Sequence, residues 1–169
     1  MSEQQHTFLD TIKKSTIQDF IVDVRGHANE MTIQVKAEHI LEVLRSLKEQ
    51  HGFNFLSDIT GSDNYTDEGR FEVAYNIVSM AHRQRLRVVA LIEESDPSID
   101  SVVSLWSSAN WYEREAYDMV GIQFRNHPDL RRIYMPEDFQ WYPLRKEFPL
   151  LGIPGSIALP EKDPPKEYK

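Results

Sequence analysis

The sequence predicts an α+β domain, a mainly antiparallel sheet with helices on one face, followed by an extended proline-rich C-terminal arm. Three observations carry that expectation. Apolar residues alternate at Phe71, Val73, Tyr75 and Ile77 and again at Leu86, Val88, Ala90 and Ile92, the period of a strand with one buried face. Ile40, Val43, Leu44 and Leu47 recur instead at helical spacing. Eight of the nine prolines lie after residue 127, where they forbid a long regular helix or a central strand.

Taken in order, residues 20–25 and 31–35 read as short strands joined by a turn at 26–30. Residues 38–51 read as a helix, with Lys48 in its last turn and Gly52 where a left-handed cap is wanted. Strands at 53–60, 70–79 and 85–92 follow as an antiparallel meander, separated by a polar loop at 61–69 and a shorter one at 80–84. Asp96-Pro97 has the form of a cap opening a helix that carries Ile99, Val102, Val103 and Trp106. Asn110 and Glu113 form a capping-box pattern before Tyr112, Ala116, Met119 and Val120, and Gly121 ends that second helix. The boundary predicted from this pattern separates a domain at 1–124 from an arm at 125–169. All the periodic apolar faces lie before it, so the domain is expected to be stable and the arm mobile until it is docked.

Composition excludes several classes of function. With 169 residues, a formal charge of -8 and a pI near 5.2, the chain has no excess of basic residues for nucleic-acid phosphates. Arg83, Arg85 and Arg87 would share a strand face, but in an acidic protein they read as partners for acidic neighbours. There is no cysteine, which removes disulfides, thiol nucleophiles and thiolate-held clusters together. Neither a dinucleotide nor a P-loop glycine pattern is present, and the acidic loop at 63–69 lacks the ligand order of a calcium hand. The first 14 residues have no apolar run of signal-peptide length, and no later run approaches the ~20 residues of a membrane span.

The stretch from 113 to 149 is the densest in chemistry. It holds seven Asp or Glu against six Lys or Arg, interleaved with aromatic and large aliphatic residues. Glu113, Glu115 and Asp118 invite comparison with a hydrolase pair, but on a helix Glu113 and Glu115 diverge by about 200°. Arg114 and Asp118 stand at i and i+4, the spacing of an ordinary helix-surface ion pair. The reading preferred over both is that these charges orient the arm that follows, or a partner surface. His127 has carboxylates near it in sequence, at Asp129, Glu137 and Asp138, and beside Pro128 it also suits a simple hydrogen-bonding turn. Ordering the arm costs backbone entropy, which burial of Leu130, Phe139, Trp141, Leu144 and Phe148 would offset. A partner protein is the expected acceptor, with aromatic and arginine side chains as anchors.

At these residues the sequence resembles the 30-kDa subunit, also called the C subunit, of the proton-translocating NADH:quinone oxidoreductase, respiratory complex I. The pattern Glu-Arg-Glu-x-x-Asp-Met-x-Gly-Ile-x-Phe-x-x-His-Pro-Asp-Leu-Arg-Arg-Ile stands at 113–133, followed by Pro136-Glu137-Asp138 and Pro143-Leu144-Arg145-Lys146-Glu147-Phe148-Pro149. The resemblance covers about residues 20 to 149. Phe139 and Trp141 depart from it, since the family usually has Trp and Gly there, and Trp141 has none of glycine's freedom at positive φ. The resemblance implies a non-cofactor subunit of the quinone module, with FMN, Fe-S clusters and quinone held by other subunits. It implies contacts with the D and B subunits and neighbouring peripheral-arm subunits, on the cytoplasmic side of the membrane, with no nucleic acid and membrane contact only through the complex. Glu113, Arg114, Glu115, Asp118, His127, Asp129, Arg131, Arg132, Asp138, Trp141, Leu144, Arg145 and Lys146 would then be interface or supporting residues, with no catalytic residue in this chain. The alternatives are a homologous subunit of a related NDH or membrane-bound hydrogenase complex, a generic adaptor with an adhesive arm, and a carboxylate enzyme using Glu113 and Asp118.

Overall fold

The structure is a computed structural model that describes residues 16–27 and 30–149. The middle of the expected turn at 26–30 and the arm beyond 149 lie outside the described residues. β1 (Ile21–His27) and β2 (Glu30–Val35) pair antiparallel with His27 opposite Glu30, the register a tight hairpin requires. The chain then passes through a 3-10 turn at Ala37–His39 into α1 (Ile40–Glu49), which is shorter at each end than the expected 38–51. Ile40, Val43, Leu44 and Leu47 are its buried stripe, and Gly52 takes a φ of +73° as the chain leaves it.

β3 (Phe55–Asp63), β4 (Phe71–Ser79) and β5 (Gln84–Ile92) form the expected antiparallel meander. The sheet order is β1-β2-β5-β4-β3, and β2 joins β5 in parallel, Ile33 opposite Val88. Two antiparallel hairpin units thus meet through one parallel seam, and α1 belongs to the crossover such a seam needs. The alternating residues of β4 and β5 join Ile33 and Val35, the stripe of α1 and the inner side chains of the second helix in a single buried cluster. Arg87 on the other side of the sheet pairs with Glu72 at 3.1 Å, as expected of that basic spacing, whereas Arg83 leaves the strand for a turn with φ of +51°.

The helix expected after Pro97 does not form. Ser98–Asp100 is a short strand, β6, parallel to β7 (Gln123–Arg125), with Ile99 opposite Phe124 and both buried. The ladder is extended by Gln123 N–H to Pro97 O (2.8 Å) and Ser101 N–H to Arg125 O (2.9 Å). A cap signal of two residues is overridden by a distant partner strand, which the local sequence does not announce.

The second helix, α2 (Ala109–Val120), is present, but the capping box is not: Ser108 stands at the N-cap with no side-chain bond, and Glu113 turns inward. α2 lies close against β3 because Gly61 has no side chain. A Cβ there would stand 3.0 Å from the Cβ of Ala116 and 3.1 Å from the Cδ1 of Ile122. Gly121 closes α2 in the left-handed region, φ +85°, its N–H on Tyr117 O at 2.9 Å. Among the described residues no helix is long and apolar enough to cross a membrane.

Gly121 is doubly constrained, because a Cβ there would meet Tyr142 at 2.6 Å and Arg145 at 2.7 Å as well as the unfavourable φ. Gly121→Ala is expected to destabilise the chain by about 1 to 3 kcal/mol, read from urea or thermal unfolding. In a Tyr142→Ala background the same change should cost less, since part of the crowding is gone. Equal unfolding curves for Gly121→Ala and wild type would refute the crowding argument.

Candidate functional site: the arm anchored on the second helix

The charged residues of α2 fall on two sides, and their burial separates them. Glu113 and Asp118 are 0% exposed and Arg114 is 7% exposed, while Glu115 faces solvent. Arg114 and Asp118 do not form the ion pair that their spacing suggests, because each is occupied by the chain beyond residue 125. Arg114 donates through Nε to Arg131 O (3.1 Å) and through Nη2 to Arg132 O (3.2 Å), with its guanidinium 4.8 Å from the Trp111 ring centre. Asp118 Oδ2 accepts from the backbone amides of Ile133 (2.9 Å), Tyr134 (2.6 Å) and Met135 (3.0 Å), and Oδ1 from Arg132 Nη1 (2.8 Å). Burial alone would push this carboxyl up, but the amides of Met135 and Tyr134, the Arg132 guanidinium and the Ile133 amide outweigh it and hold the pKa below the ordinary aspartate value.

Glu113 has the opposite environment. Oε2 accepts from the Ser101 hydroxyl at 2.6 Å and Oε1 from the Val102 amide at 2.7 Å, which ties α2 to the segment after β6. Burial dominates those two donors and raises the carboxyl to about 7. His127, its side chain also fully covered, places Nε2 3.9 Å from Glu113 Oε2 and 3.3 Å from Asn110 O. The Asp129 amide donates to His127 Nδ1 at 3.0 Å, so the ring is the neutral tautomer with its proton on Nε2. Burial shifts the imidazole pKa down, in keeping with that form. His127 is therefore the hydrogen-bonding turn residue, and among the described residues no group of three or more His, Cys, Asp or Glu is arranged to hold a metal ion.

The rest of the described arm runs back across the end of α2. Leu144 N–H reaches Met119 O (2.9 Å) and Arg145 Nε reaches Val120 O (2.7 Å), with the Arg145 guanidinium 4.6 Å from the Tyr142 ring and 5.0 Å from that of Phe71. Lys146 N–H then donates to the buried carboxylate of Asp63 at 2.9 Å. Residues 126–149, which the sequence assigns to a mobile arm, lie packed on the domain, held by backbone groups and by Arg132 and Arg145. Phe139 is buried at 5% exposure and meets Trp141 edge-on at 5.4 Å. Trp141 is not among the residues with positive φ, so an ordinary backbone accommodates it. Asp129 and Arg131 form an exposed pair with each other at 2.9 Å, and Asp138 and Lys146 are exposed. Trp111, Tyr134, Trp141 and Leu144 present large apolar surface, from 38 to 61% exposed.

Sequence reading missed Ser101, Asp63, Arg70 and Glu147. Asp63 and Arg70 flank the polar loop between β3 and β4, where the hairpin register sets Asp63 opposite Phe71, so opposite charges at the two ends of that loop were the available signal. Glu147 has no local signal, since its partner Arg70 is 77 residues away.

The sequence model of the family described as "Respiratory-chain NADH dehydrogenase, 30 Kd subunit" matches residues 33–153. The chain belongs to this family. It is 44% identical over 153 residues to the NADH-quinone oxidoreductase C subunit of Citrifermentans bemidjiense, covering 90% of this chain and 91% of that one. It is 44% identical over 147 residues to that of Geobacter sulfurreducens, 86% of each. Among solved structures, the trypsin-resistant fragment (1–134) of Nqo5 superposes with a TM-score of 0.63 at 34% identity, covering 72% of this chain and 98% of that one. A chain of the membrane-bound sulfane sulfur reductase, an archaeal respiratory membrane complex, shares the fold at 20% identity, with a TM-score of 0.75 and 88% of each chain covered.

The raised pKa of Glu113 has a definite sign. The folded chain binds a proton that the unfolded chain has lost, so Glu113's contribution to stability is full below about pH 4.5 and is lost as pH rises toward about 7. Glu113→Gln cannot ionise, and its stability relative to wild type should therefore rise across that window, by at most about 3 kcal/mol. Unfolding curves of both proteins from pH 5 to 8 test this, and parallel pH profiles would sink it. His127 acts in the other direction, its neutral form favouring the folded state as pH rises toward 6.5.

Proposed function

We propose that this chain is a non-cofactor structural subunit of the quinone module of an NADH:quinone oxidoreductase. In that complex electrons pass from NADH through FMN and Fe-S centres in other subunits to quinone, and the reaction is coupled to proton translocation. The domain at 1–124 carries the arm at 125–169 to the large D subunit, with the B subunit and other peripheral-arm subunits nearby, on the cytoplasmic side of the membrane. That the related Nqo5 yields a trypsin-resistant fragment matching 72% of this chain supports a separately stable domain. The absence of cysteine supports the assignment of thiolate-held clusters to other subunits.

The observation that carries the reading is how the family pattern is used. Glu113, Arg114, Asp118 and Arg132 are occupied within the chain, where they shape the arm, and none is directed at an open cleft. That distribution opposes the carboxylate enzyme, whose acid and base must reach one substrate bond. What the shaped arm leaves outward is Trp111, Tyr134, Trp141 and Leu144, with Glu115 and Lys146 among the exposed charges. Exposed aromatics with a polar surround are the composition of an interface centre and rim.

Two classes of variant separate shaping from contact. Trp141→Ala/Leu144→Ala is expected to lower the abundance of the assembled complex and its quinone reductase activity while costing the isolated chain no more than about 1 to 2 kcal/mol, the loss of the Trp141 contact with Phe139. Asp118→Ala should lower both, because it strands three amides and a guanidinium, a loss of about 3 kcal/mol or more. Native gels of membranes and melts of the purified chain provide the measurements. Full assembly of the double variant would remove the interface role of those two residues.

A further inference from the structure

We infer that Arg70 is a positioning residue, which buckles residues 144–148 of the arm to the sheet and so fixes how that stretch is presented to a partner. The inference rests on the reading of the arm as the partner-facing element. Arg70 stands just before β4 with its side chain 7% exposed. Its Nε and Nη2 bind the two oxygens of Asp63 at 3.0 and 2.9 Å, the planar two-point pairing that only a guanidinium provides. Nη1 also reaches Glu94, beyond the end of β5, and Nη2 reaches Glu147 on the arm. Asp63, its side chain fully buried, accepts in addition the amides of Tyr65 at 3.0 Å and Lys146 at 2.9 Å. The rings of Tyr65 and Phe71 lie 5.2 and 5.0 Å from the guanidinium carbon.

One guanidinium thus joins the end of β3, the start of β4, the segment after β5 and the arm. The link to the arm is double, through the Lys146 amide on Asp63 and the Glu147 carboxylate on Arg70 itself. Burial would raise the Asp63 carboxyl, but Arg70 and the amides of Lys146 and Tyr65 hold it at about 2, so the buckle stays charged across the physiological range. It is spatially separate from the Asp118 anchor, which binds the arm earlier in its course, at Ile133, Tyr134 and Met135. Glu147 is also shared with Arg145, at 3.9 Å. The buckle therefore closes the strap that Leu144 and Arg145 have begun at the end of α2. Past Glu147, among the described residues, Phe148 N–H bonds Arg145 O and its ring lies 6.2 Å from that of Phe139.

Hydrogen exchange of the full-length chain tests the buckle, and native-gel abundance of the complex tests its consequence. Arg70→Met alone would strand the buried Asp63 and risks unfolding, so the informative variants are Asp63→Asn/Arg70→Met and Glu147→Gln. The amides of Arg145, Lys146 and Phe148 should exchange about threefold faster in Glu147→Gln, whose side chain is half exposed. In the double variant they should exchange about tenfold faster or more, as a buried link is lost. The amides of Ile133, Tyr134 and Met135 should keep their wild-type rates in Glu147→Gln, and complex abundance should fall in both variants. Wild-type exchange at 145–148 in both, or loosening spread through β3, β4 and β5 in Glu147→Gln, overturns the inference. Local release with full assembly also overturns it, provided Trp141→Ala/Leu144→Ala still blocks assembly. If that variant assembles too, the failure lies with the reading of the arm as the partner-facing element.

Discussion

A helix that ends inside a folded chain must find donors for its last four carbonyls, and α2 takes all four from the chain that follows it. Tyr117 O takes the Gly121 amide, Asp118 O takes Arg132, Met119 O takes the Leu144 amide and Val120 O takes Arg145. Two guanidiniums therefore sit at the negative end of the helix dipole, where positive charge is favoured. The same end carries Asp118, which the dipole disfavours and which is stable there because four donors converge on its carboxylate. Remove the arm and the helix loses its C-terminal partners; remove the helix end and residues 131–146 lose their template. The two elements share these bonds, and Gly121 stands at their crossing, where a Cβ would meet both Tyr142 and Arg145.

Two carboxylates about a turn and a half apart on α2 are held in different states by their surroundings. The Asp118 carboxylate meets one positively charged side chain and three amides, and ionises readily. Glu113 meets a hydroxyl and one amide, with a histidine held neutral beyond, so its charge has no counterpart and burial prevails. Both side chains are covered, but Glu113 lies deeper and has fewer donors, so desolvation prevails there while the donors prevail at Asp118. Glu113 suits a link between two parts of the interior, from Ser101 to α2, whereas Asp118 suits the capture of an extended backbone whose amides are otherwise unpaired.

What the sequence made legible and what it hid follow from the range of the interactions. The faces of α1, β4 and β5 could be read because their periodicity is local, and the stop at Gly121 because a left-handed cap is a property of one residue. β6 reads as a helix in the sequence, but the Asp96-Pro97 signal is worth little against a ladder to β7, with Glu113 holding the Val102 amide and Arg125 O holding that of Ser101. The i,i+4 pairing of Arg114 and Asp118 fails for the same reason. An exposed helix pair contributes a few tenths of a kcal/mol, and both side chains are buried beneath an arm that offers carbonyls to one and amides to the other. The family pattern at 113–133 marks the stretch where these charges meet the arm, while leaving open whether they face inward or outward.

That division has a consequence for how such an arm can be both specific and adhesive. Backbone amides and carbonyls are the costliest groups to leave unpaired when a partner covers them. Here many of those in 131–148 are already bound to Arg114, Asp118, Asp63 and the end of α2, so a partner that covers this stretch meets a preformed surface and need not order it from a random chain. The entropy of fixing the arm is met within the subunit, and the exposed side chains of Tyr134, Trp141 and Leu144 are left to supply contact area. Charged groups buried at the base and apolar groups exposed at the rim invert the usual arrangement of a soluble domain. The inversion has a physical reason: the charges organise backbone, which apolar side chains cannot do, and the apolar groups are, on the function proposed above, the surface offered to a partner.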